Sequence, residues 1–257
     1  MAGGLETFAV HNASEEVMLL WSFRDPSRAK HYAFVSQKSR HLDAEVCGRN
    51  LRLVQSQMQS TVTGSVVWDS ALVLAKFLEY AADQGWLDFR AKSCVELGAG
   101  CGLVGLTVAF LGAARVILTD MPDRLRLLRQ NVEDNYVAPK GSPASLEVVE
   151  LLWSTEPTAA LLDPRPDWIV ASDVVYDDET FADLLTTLKE LSTSETTIII
   201  AVELRIDSVI ESFLEAALSH FSISRVADKS LHPEYKSQRV VVYLLRRKEK
   251  PVGGDGR

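Results

Sequence analysis

The stretch Ser93-Cys94-Val95-Glu96-Leu97-Gly98-Ala99-Gly100-Cys101-Gly102-Leu103-Val104-Gly105 decides the fold of this chain. A short apolar run ends near an acid, a glycine-dense turn follows, and an amphipathic helix is predicted from Leu103. This order of strand, turn and helix is typical of sites that bind nucleotide-type cofactors. Glycines let the backbone take positive φ and pass close to a ligand, and the first N–H groups of the helix favour an anionic group above the turn.

The turn by itself fits more than one cofactor. Gly100 to Gly105 matches the dinucleotide fingerprint, whereas Gly98, Gly100 and Gly102 alternate in the register that holds S-adenosylmethionine. A tight turn with no ligand is a third reading. Asp120 ends the next apolar run, about 20 residues on, where an acid can bind both ribose hydroxyls of either cofactor. Glu96 could accept hydrogen bonds from the amino group of a cofactor or from the turn.

Composition narrows the class of protein. The chain has 257 residues and a formal net charge of −8, so it can bury a full core but has no basic excess for binding nucleic acid. Three cysteines without a CxxC motif and five scattered histidines predict neither a disulfide framework nor a metal site. The first residues do not resemble a signal peptide, and no apolar run is long enough to span a membrane. We therefore expect a soluble cytoplasmic protein, with the nucleus as a second location.

From Ser93 onward, apolar runs alternate with helical patterns, which predicts a parallel sheet covered on both faces. The final two runs, Phe221–Val226 and Gln238–Leu245, have no helix between them and should pair antiparallel at one edge. Strands are predicted at 93–97, 115–119, 146–151, 168–173 and 196–202, and helices at 68–80, 102–112, 122–136, 179–191 and 207–219. The resulting fold class is α/β, a Rossmann-like seven-stranded sheet that is mostly parallel with a terminal antiparallel hairpin.

The flanking segments are less strongly patterned. Residues 1–62 are expected to be an N-terminal extension that carries a short β-hairpin, formed by His31–Gln37 and Asn50–Ser56. The main domain then covers 63–246, and the Gly- and charge-rich tail at 247–257 is expected to be disordered.

The terminal hairpin argues against the six-stranded dinucleotide fold and resembles the seven-β-strand class I methyltransferases. The segment Ala171-Ser172-Asp173-Val174-Val175-Tyr176 resembles the Asp-x-x-Tyr mark of methyltransferase family 16, mostly protein-lysine methyltransferases. Further segments match that family in order: Val67–Leu74, Glu96–Gly100, Thr119-Asp120, Leu152-Trp153 and Val202–Arg205. Within the family, the Val-Trp-Asp helix start is similar to the subgroup that methylates valosin-containing protein.

The resemblance implies S-adenosylmethionine as cofactor and S-adenosylhomocysteine as product. Gly98, Ala99 and Gly100 would line the methionine half of the cofactor, and Asp120 would hold the ribose. Trp153 would pack on the adenine, Ala171 would lie beneath the cofactor, and Trp68 would close the site. Glu96 is the remaining residue expected to take part in cofactor binding. From the residues alone, a tryptophan placed as Trp68 is usually a packing residue, and Trp153 could equally be one.

The resemblance places Asp173 and Tyr176 at the mouth of the site, where they would orient a lysine amine for attack on the methyl group. A helix cap is the structural alternative for Asp173. Glu203 and Arg205 could form an ion pair or contact substrate, and a structural role is favoured for Arg205.

The implied partner is a protein substrate, with an ATPase chaperone such as valosin-containing protein as a candidate, and the enzyme is expected to be a monomer. Four other functions stay open at this point. They are methylation of a small molecule, methylation of another protein side chain, cofactor binding without turnover, and an NAD-linked oxidoreductase.

Overall fold

The computed structural model describes residues 4–23, 34–56, 66–138 and 144–249. Its strands are β1 (Thr7–Val10), β2 (His41–Val46), β3 (Arg49–Val54), β4 (Ser93–Leu97), β5 (Arg115–Asp120), β6 (Ser145–Glu150), β7 (Trp168–Ser172), β8 (Thr197–Glu203), β9 (Phe221–Val226) and β10 (Val240–Arg247). Its α-helices are α1 (Ala13–Phe23), α2 (Asp69–Asp83), α3 (Leu103–Phe110), α4 (Leu125–Asn135), α5 (Ala159–Leu162), α6 (Thr180–Leu191) and α7 (Asp207–Leu218).

The main sheet has the predicted topology with one strand added. Its order is β1-β9-β10-β8-β7-β4-β5-β6, and the five strands from β8 to β6 are parallel. β10 lies antiparallel between β8 and β9, as the absence of a helix between the last two runs predicts. β8 is buried along its whole length, because helices cover both faces of the sheet. The predicted α/β class and the mostly parallel sheet are confirmed.

The N-terminal segment is more ordered than expected. β1 pairs antiparallel with β9, so the terminal hairpin does not form the edge of the sheet, and the sheet has eight strands. α1 packs on α7 through buried residues that include Val17 and Leu20. A buried ion pair joins Glu16 Oε1 to Arg225 Nε at 2.7 Å. These residues therefore belong to the fold rather than to a loosely attached extension.

The N-terminal hairpin exists, but one of its strands is not the predicted one. β2 and β3 pair with Val46 opposite Arg49, so Cys47 and Gly48 form the turn, both at positive φ. The second predicted strand is confirmed, whereas the first is His41–Val46 rather than His31–Gln37. Residues 34–37 form a bend and turn, and 31–33 fall outside the described residues. A two-residue turn at Cys47 and Gly48 requires the first strand to end at Val46. The loose alternation at 31–37 ends too early in the chain to pair across that turn.

Other boundaries shift slightly. The helix predicted at 122–136 begins at Leu125, because the N–H of Arg124 first closes a turn on the carbonyl of Met121 at 3.0 Å. The tail was predicted to begin at 247, but β10 continues to Arg247. The rest of the predicted tail, from residue 250, lies outside the described residues, and so does the predicted domain start at 63.

Two cores fill the two faces of the sheet. One contains side chains of α2, α3, α4 and the β2–β3 hairpin, and the other contains those of α1, α6 and α7. Alternate residues of β7 and β8 point to opposite faces, for example Val170 to the first core and Ile169 to the second. In the part of the chain that the structure describes, no helix is both long and apolar enough to cross a membrane.

Candidate active site

A cavity of about 330 Å³ opens at the carboxyl-terminal edge of the parallel strands. Ligands bind at this edge in open α/β sheets, and the volume is in the range of small-molecule sites. All predicted site residues except Ala171 contribute to its wall: Trp68, Glu96, Gly98, Ala99, Gly100, Asp120, Trp153, Asp173 and Tyr176. They come from chain segments far apart in sequence. The fold therefore brings the predicted set together in one place.

Ala171 is the exception. It lies within β7, fully buried, and belongs to the core on the α6–α7 side of the sheet. The next residue, Ser172, lines the cavity instead. Because successive strand residues point to opposite faces, the side chain of Ala171 faces away from the wall that Ser172 contributes to. The structure does not place Ala171 in contact with the cavity.

The glycine turn is shaped for close approach. Gly98 has φ of +63°, and a Cβ at this position would lie 2.9 Å from Val174 Cγ1 and 3.4 Å from Trp153 Cζ2. The N–H of Gly100 donates to Asp120 Oδ2 at 2.7 Å, which ties the turn to the end of β5. A side chain at position 98 would fill the space between the turn and Trp153. The missing side chain thus keeps this part of the cavity open for a ligand.

Glu96 lies beneath the turn. Its Oε2 accepts a hydrogen bond from the N–H of Gly105 in the first turn of α3, at 2.8 Å. Glu96 was expected to accept a hydrogen bond either from the amino group of a cofactor or from the turn. The contact in the structure is with the backbone at the start of the helix that follows the turn. A Cβ on Gly105 would lie 2.5 Å from the same oxygen, so only glycine fits there. Burial raises the pKa of Glu96 to about 8.

This raised pKa predicts a pH effect on stability. The folded state keeps the proton on Glu96 between its ordinary pKa of 4.5 and about 8, whereas the unfolded chain releases it. The contribution of Glu96 to stability is therefore present below the lower value and is lost as pH rises through the upper one. Glu96→Gln cannot titrate, so its melting temperature should rise relative to wild type across this window. Thermal denaturation at several pH values measures the difference. Glu133→Gln, on the exposed face of α4, is the control, and parallel curves for Glu96→Gln and wild type would contradict the assignment.

Asp120 ends β5 with both carboxylate oxygens in use by backbone. Oδ2 accepts from Gly100 and Oδ1 accepts from the N–H of Met121 at 2.8 Å. Burial raises the pKa of Asp120, and these two N–H groups oppose the rise. Each oxygen keeps a further lone pair, so the carboxylate can still accept hydrogen bonds from two hydroxyl groups of a ligand.

Trp153 follows β6 and is half-buried. Its ring lies beside Gly98 and packs against the core on the α6–α7 side of the sheet.

We expect Trp153→Ala to weaken cofactor binding several-fold while the domain stays folded, because loss of a stacked ring removes contact with a flat heterocycle. Calorimetry with S-adenosylmethionine measures the affinity, and thermal denaturation serves as the stability control. Normal affinity combined with a much lower melting temperature would make Trp153 a packing residue.

The mouth of the cavity contains an ion-pair cluster. Asp173, directly after β7, has φ of +59°, a conformation that is uncommon without glycine and is often found at functional sites. Its Oδ2 lies 2.6 Å from Arg205 Nη2, and the same nitrogen lies 2.7 Å from Glu203 Oε2. Burial raises the pKa of Asp173, and Arg205 opposes this. Tyr176 lies half-buried on the same wall.

The structure assigns the helix cap to another residue. Asp177 Oδ1 accepts the backbone N–H groups of Glu179 and Thr180, at 3.0 and 2.8 Å, at the start of α6. The capping alternative for Asp173 is therefore wrong.

The ion pair expected between Glu203 and Arg205 is confirmed, and Arg205 also reaches the cavity. Its guanidinium lies 3.9 Å from the ring centroid of Trp68 and lines the cavity. The signal available in sequence was the Glu203-x-Arg205 spacing, which puts both side chains on one side of an extended strand end.

A solved structure with a similar fold contains the cofactor that the resemblance implies. The glycopeptide N-methyltransferase MtfA, solved with sinefungin and with S-adenosylmethionine, matches with a TM-score of 0.51 in each case. In both comparisons the identity is 13%, covering 68% of this chain and 94% of MtfA, so the likeness shows the fold alone. The sheet order and this likeness together define the Rossmann-like fold of the class I methyltransferases.

The family model of the lysine methyltransferases, methyltransferase family 16, matches residues 47–220. The chain belongs to this family. It is 37% identical over 198 residues to the protein N-lysine methyltransferase METTL21A of Danio rerio, covering 76% of this chain and 81% of that protein. It is 30% identical over 213 residues to EEF1A lysine methyltransferase 3 of Xenopus tropicalis, covering 83% and 85%. Its reaction is therefore methyl transfer from S-adenosylmethionine to a lysine of a protein substrate, rather than hydride transfer.

Proposed function

We propose that the cavity holds both reactants of this lysine methyltransferase, with a defined end for each. The cofactor lies along Gly98–Gly100 with its ribose at Asp120 and its adenine at Trp153. The target lysine enters between Asp173 and Tyr176. The observation that carries the proposal is that one cavity joins the glycine turn, Asp120 and the Asp-x-x-Tyr pair.

The residues present fit the cofactor. The absent side chain at Gly98 leaves a cradle beside Trp153, which a Cβ would fill. The carboxylate of Asp120 suits the two hydroxyls of a ribose, and Trp153 offers an aromatic face to a purine. When bound, S-adenosylmethionine supplies a methyl group on a positively charged sulfur.

The acceptor end has the chemistry that a lysine requires. An ammonium group must lose its proton before its nitrogen can form a bond to a methyl carbon, and the proton passes to solvent. Asp173 can accept an N–H of the amine and aim its lone pair, while Tyr176 supplies an aromatic wall. No nucleophile on the enzyme is needed, because positioning for one in-line displacement supplies most of the acceleration.

Two proteins are candidates for the substrate. EEF1A is favoured by the likeness to EEF1A lysine methyltransferase 3, which covers 83% of this chain. Valosin-containing protein is favoured by the Val67-Trp68-Asp69 start of α2, the feature that suggests that subgroup. We further propose a monomeric enzyme in the cytoplasm and nucleus; sedimentation and imaging of the full-length chain test these two points.

Incubation of the full chain with methyl-labelled S-adenosylmethionine tests the function. Purified EEF1A, purified valosin-containing protein and a cell lysate serve as acceptors, and mass spectrometry locates the label. We expect label on a lysine of one of these proteins. Label only on a small molecule, on a different side chain, or nowhere despite cofactor binding would support the corresponding alternative function.

A further inference from the structure

The guanidinium of Arg205 occupies the acceptor end of the cavity in a fixed arrangement. One nitrogen pairs with two carboxylates, Asp173 and Glu203, and the flat group lies over Trp68. A planar guanidinium can satisfy several carboxylates and stack on a ring at the same time, which a lysine ammonium cannot do as well. Arg205 therefore holds three other side chains of this region in relative position.

The contacts of Asp173 are asymmetric. Oδ2 accepts from Arg205 at 2.6 Å, and the backbone N–H of Glu203 also lies near the carboxylate, whereas Oδ1 is buried and makes no direct hydrogen bond among the described residues. A buried carboxylate oxygen without a partner is costly and is best explained by a ligand group that donates to it. With Oδ2 taken, the open oxygen is the one that can receive an N–H from the target amine.

Charges of both signs surround this point. Several titratable and charged side chains lie near Arg205 or on the same wall of the cavity. They come from α2, the β7–α6 connection, α6, the end of β8 and the segment before β10: Asp69, Asp173, Tyr176, Asp183, Glu203 and Arg239. At the opposite, cofactor end of the cavity lie Glu96, Asp120 and Arg124. Arg239 pairs with the other oxygen of Glu203 at 2.8 Å but is half exposed. Arg205 is thus the cation in direct contact with Asp173.

We propose that Arg205 is a positioning residue of methyl transfer, which fixes Asp173 through Oδ2 so that Oδ1 faces the target amine, and which offsets the two carboxylates so that the neutral amine is favoured over the ammonium. The proposal rests on the proposed function, since it assigns the acceptor end to lysine. Without Arg205, the negative charges would stabilise the protonated, unreactive lysine, and Asp173 would lose its anchor.

The positive charge of Arg205 determines how its removal should change the pH dependence of methyl transfer. Loss of a neighbouring cation makes both Asp173 and a bound lysine titrate at higher pH. Transfer requires Asp173 ionised and lysine neutral, so both requirements move the acidic limb of the rate profile upward. Arg205→Gln should transfer methyl on the order of tenfold more slowly than wild type at about pH 7 and recover towards it at about pH 9. Arg205→Lys keeps the charge and should leave the limb near its wild-type position.

Two measurements on the full-length chain test this. Carbon-13 NMR of the Asp173 carboxyl, assigned with Asp173→Asn, follows its titration in wild type, Arg205→Gln and the control Arg239→Gln, and needs no substrate. The rate profile is then measured with purified EEF1A, with melting temperature and cofactor affinity as checks of folding. We expect a higher titration midpoint for Asp173 in Arg205→Gln, with a much smaller change in Arg239→Gln.

The outcomes separate the two proposals. An unchanged Asp173 titration in Arg205→Gln, an equal change in Arg239→Gln, or a wild-type rate for Arg205→Gln at every pH would overturn the role of Arg205. Failure to label EEF1A by the wild-type chain bears on the proposed substrate alone, and the NMR titration still decides the role of Arg205.

Discussion

Asp173→Asn is expected to lower methyl transfer to a lysine-bearing protein by about 100-fold or more while cofactor affinity stays within a few-fold of wild type. Asparagine is nearly isosteric but neutral, so it holds neither Arg205 nor the lysine amine in the same way. A misplaced attacking group can cost on the order of 10²-fold even when the cofactor is bound normally. Single-turnover labelling measures the rate, and calorimetry measures cofactor binding.

The matched control for this change is Asp177→Asn, four residues further on. Asp177 caps α6 through its Oδ1, a role that an asparagine also performs, and it does not line the cavity. Replacing the target lysine with arginine should stop labelling, because a guanidinium stays protonated at usable pH. Wild-type rates for Asp173→Asn would reduce Asp173 to an ion-pair partner of Arg205. Labelling that survives removal of the target lysines would contradict a lysine acceptor.

Asp120→Ala is expected to weaken S-adenosylmethionine binding by about 1.5–3 kcal/mol, the usual size of hydrogen bonds to a charged group. The ribose loses its carboxylate, and the N–H groups of Gly100 and Met121 lose their acceptor, which loosens the turn that the cofactor must approach. Calorimetry on the folded variant gives the affinity. Asp134→Ala is the control, since Asp134 is exposed on α4 and does not line the cavity. Unchanged affinity in Asp120→Ala would remove Asp120 from the binding site.

Local sequence was sufficient for the cofactor half of the site. The glycine turn, Asp120 at the end of the next strand and the alternation of strands with helices are determined by residues close together in the chain. Parallel βα units place the carboxyl ends of their strands at one edge, so the turn, Asp120 and Asp173 had to meet there. The antiparallel β9–β10 pair was predictable for the same reason, because no helix separates the two runs.

The N-terminal strand β1 could not be predicted in this way. It is four residues long, with Phe8 exposed, and pairs with β9 at the opposite end of the chain. Its companion helix α1 is attached through Glu16, which accepts from the hydroxyl of Tyr243 across a separation of 227 residues. A short edge strand carries too little periodicity to be recognised, and its partner is chosen only when the sheet is complete.

The sequence by itself determined the parallel sheet, the glycine turn and the acids at the strand ends, because each of these depends on local periodicity, on backbone conformations that favour glycine, and on strand direction. The tertiary structure alone decided what the polar side chains contact. In the structure, Glu96 accepts a hydrogen bond from the N–H of Gly105, and Ala171 lies in the core. Arg205 contacts Asp173, Glu203 and Trp68. A charged side chain has many possible partners in sequence, and the choice among them is made by the distances that packing of the sheet and helices imposes.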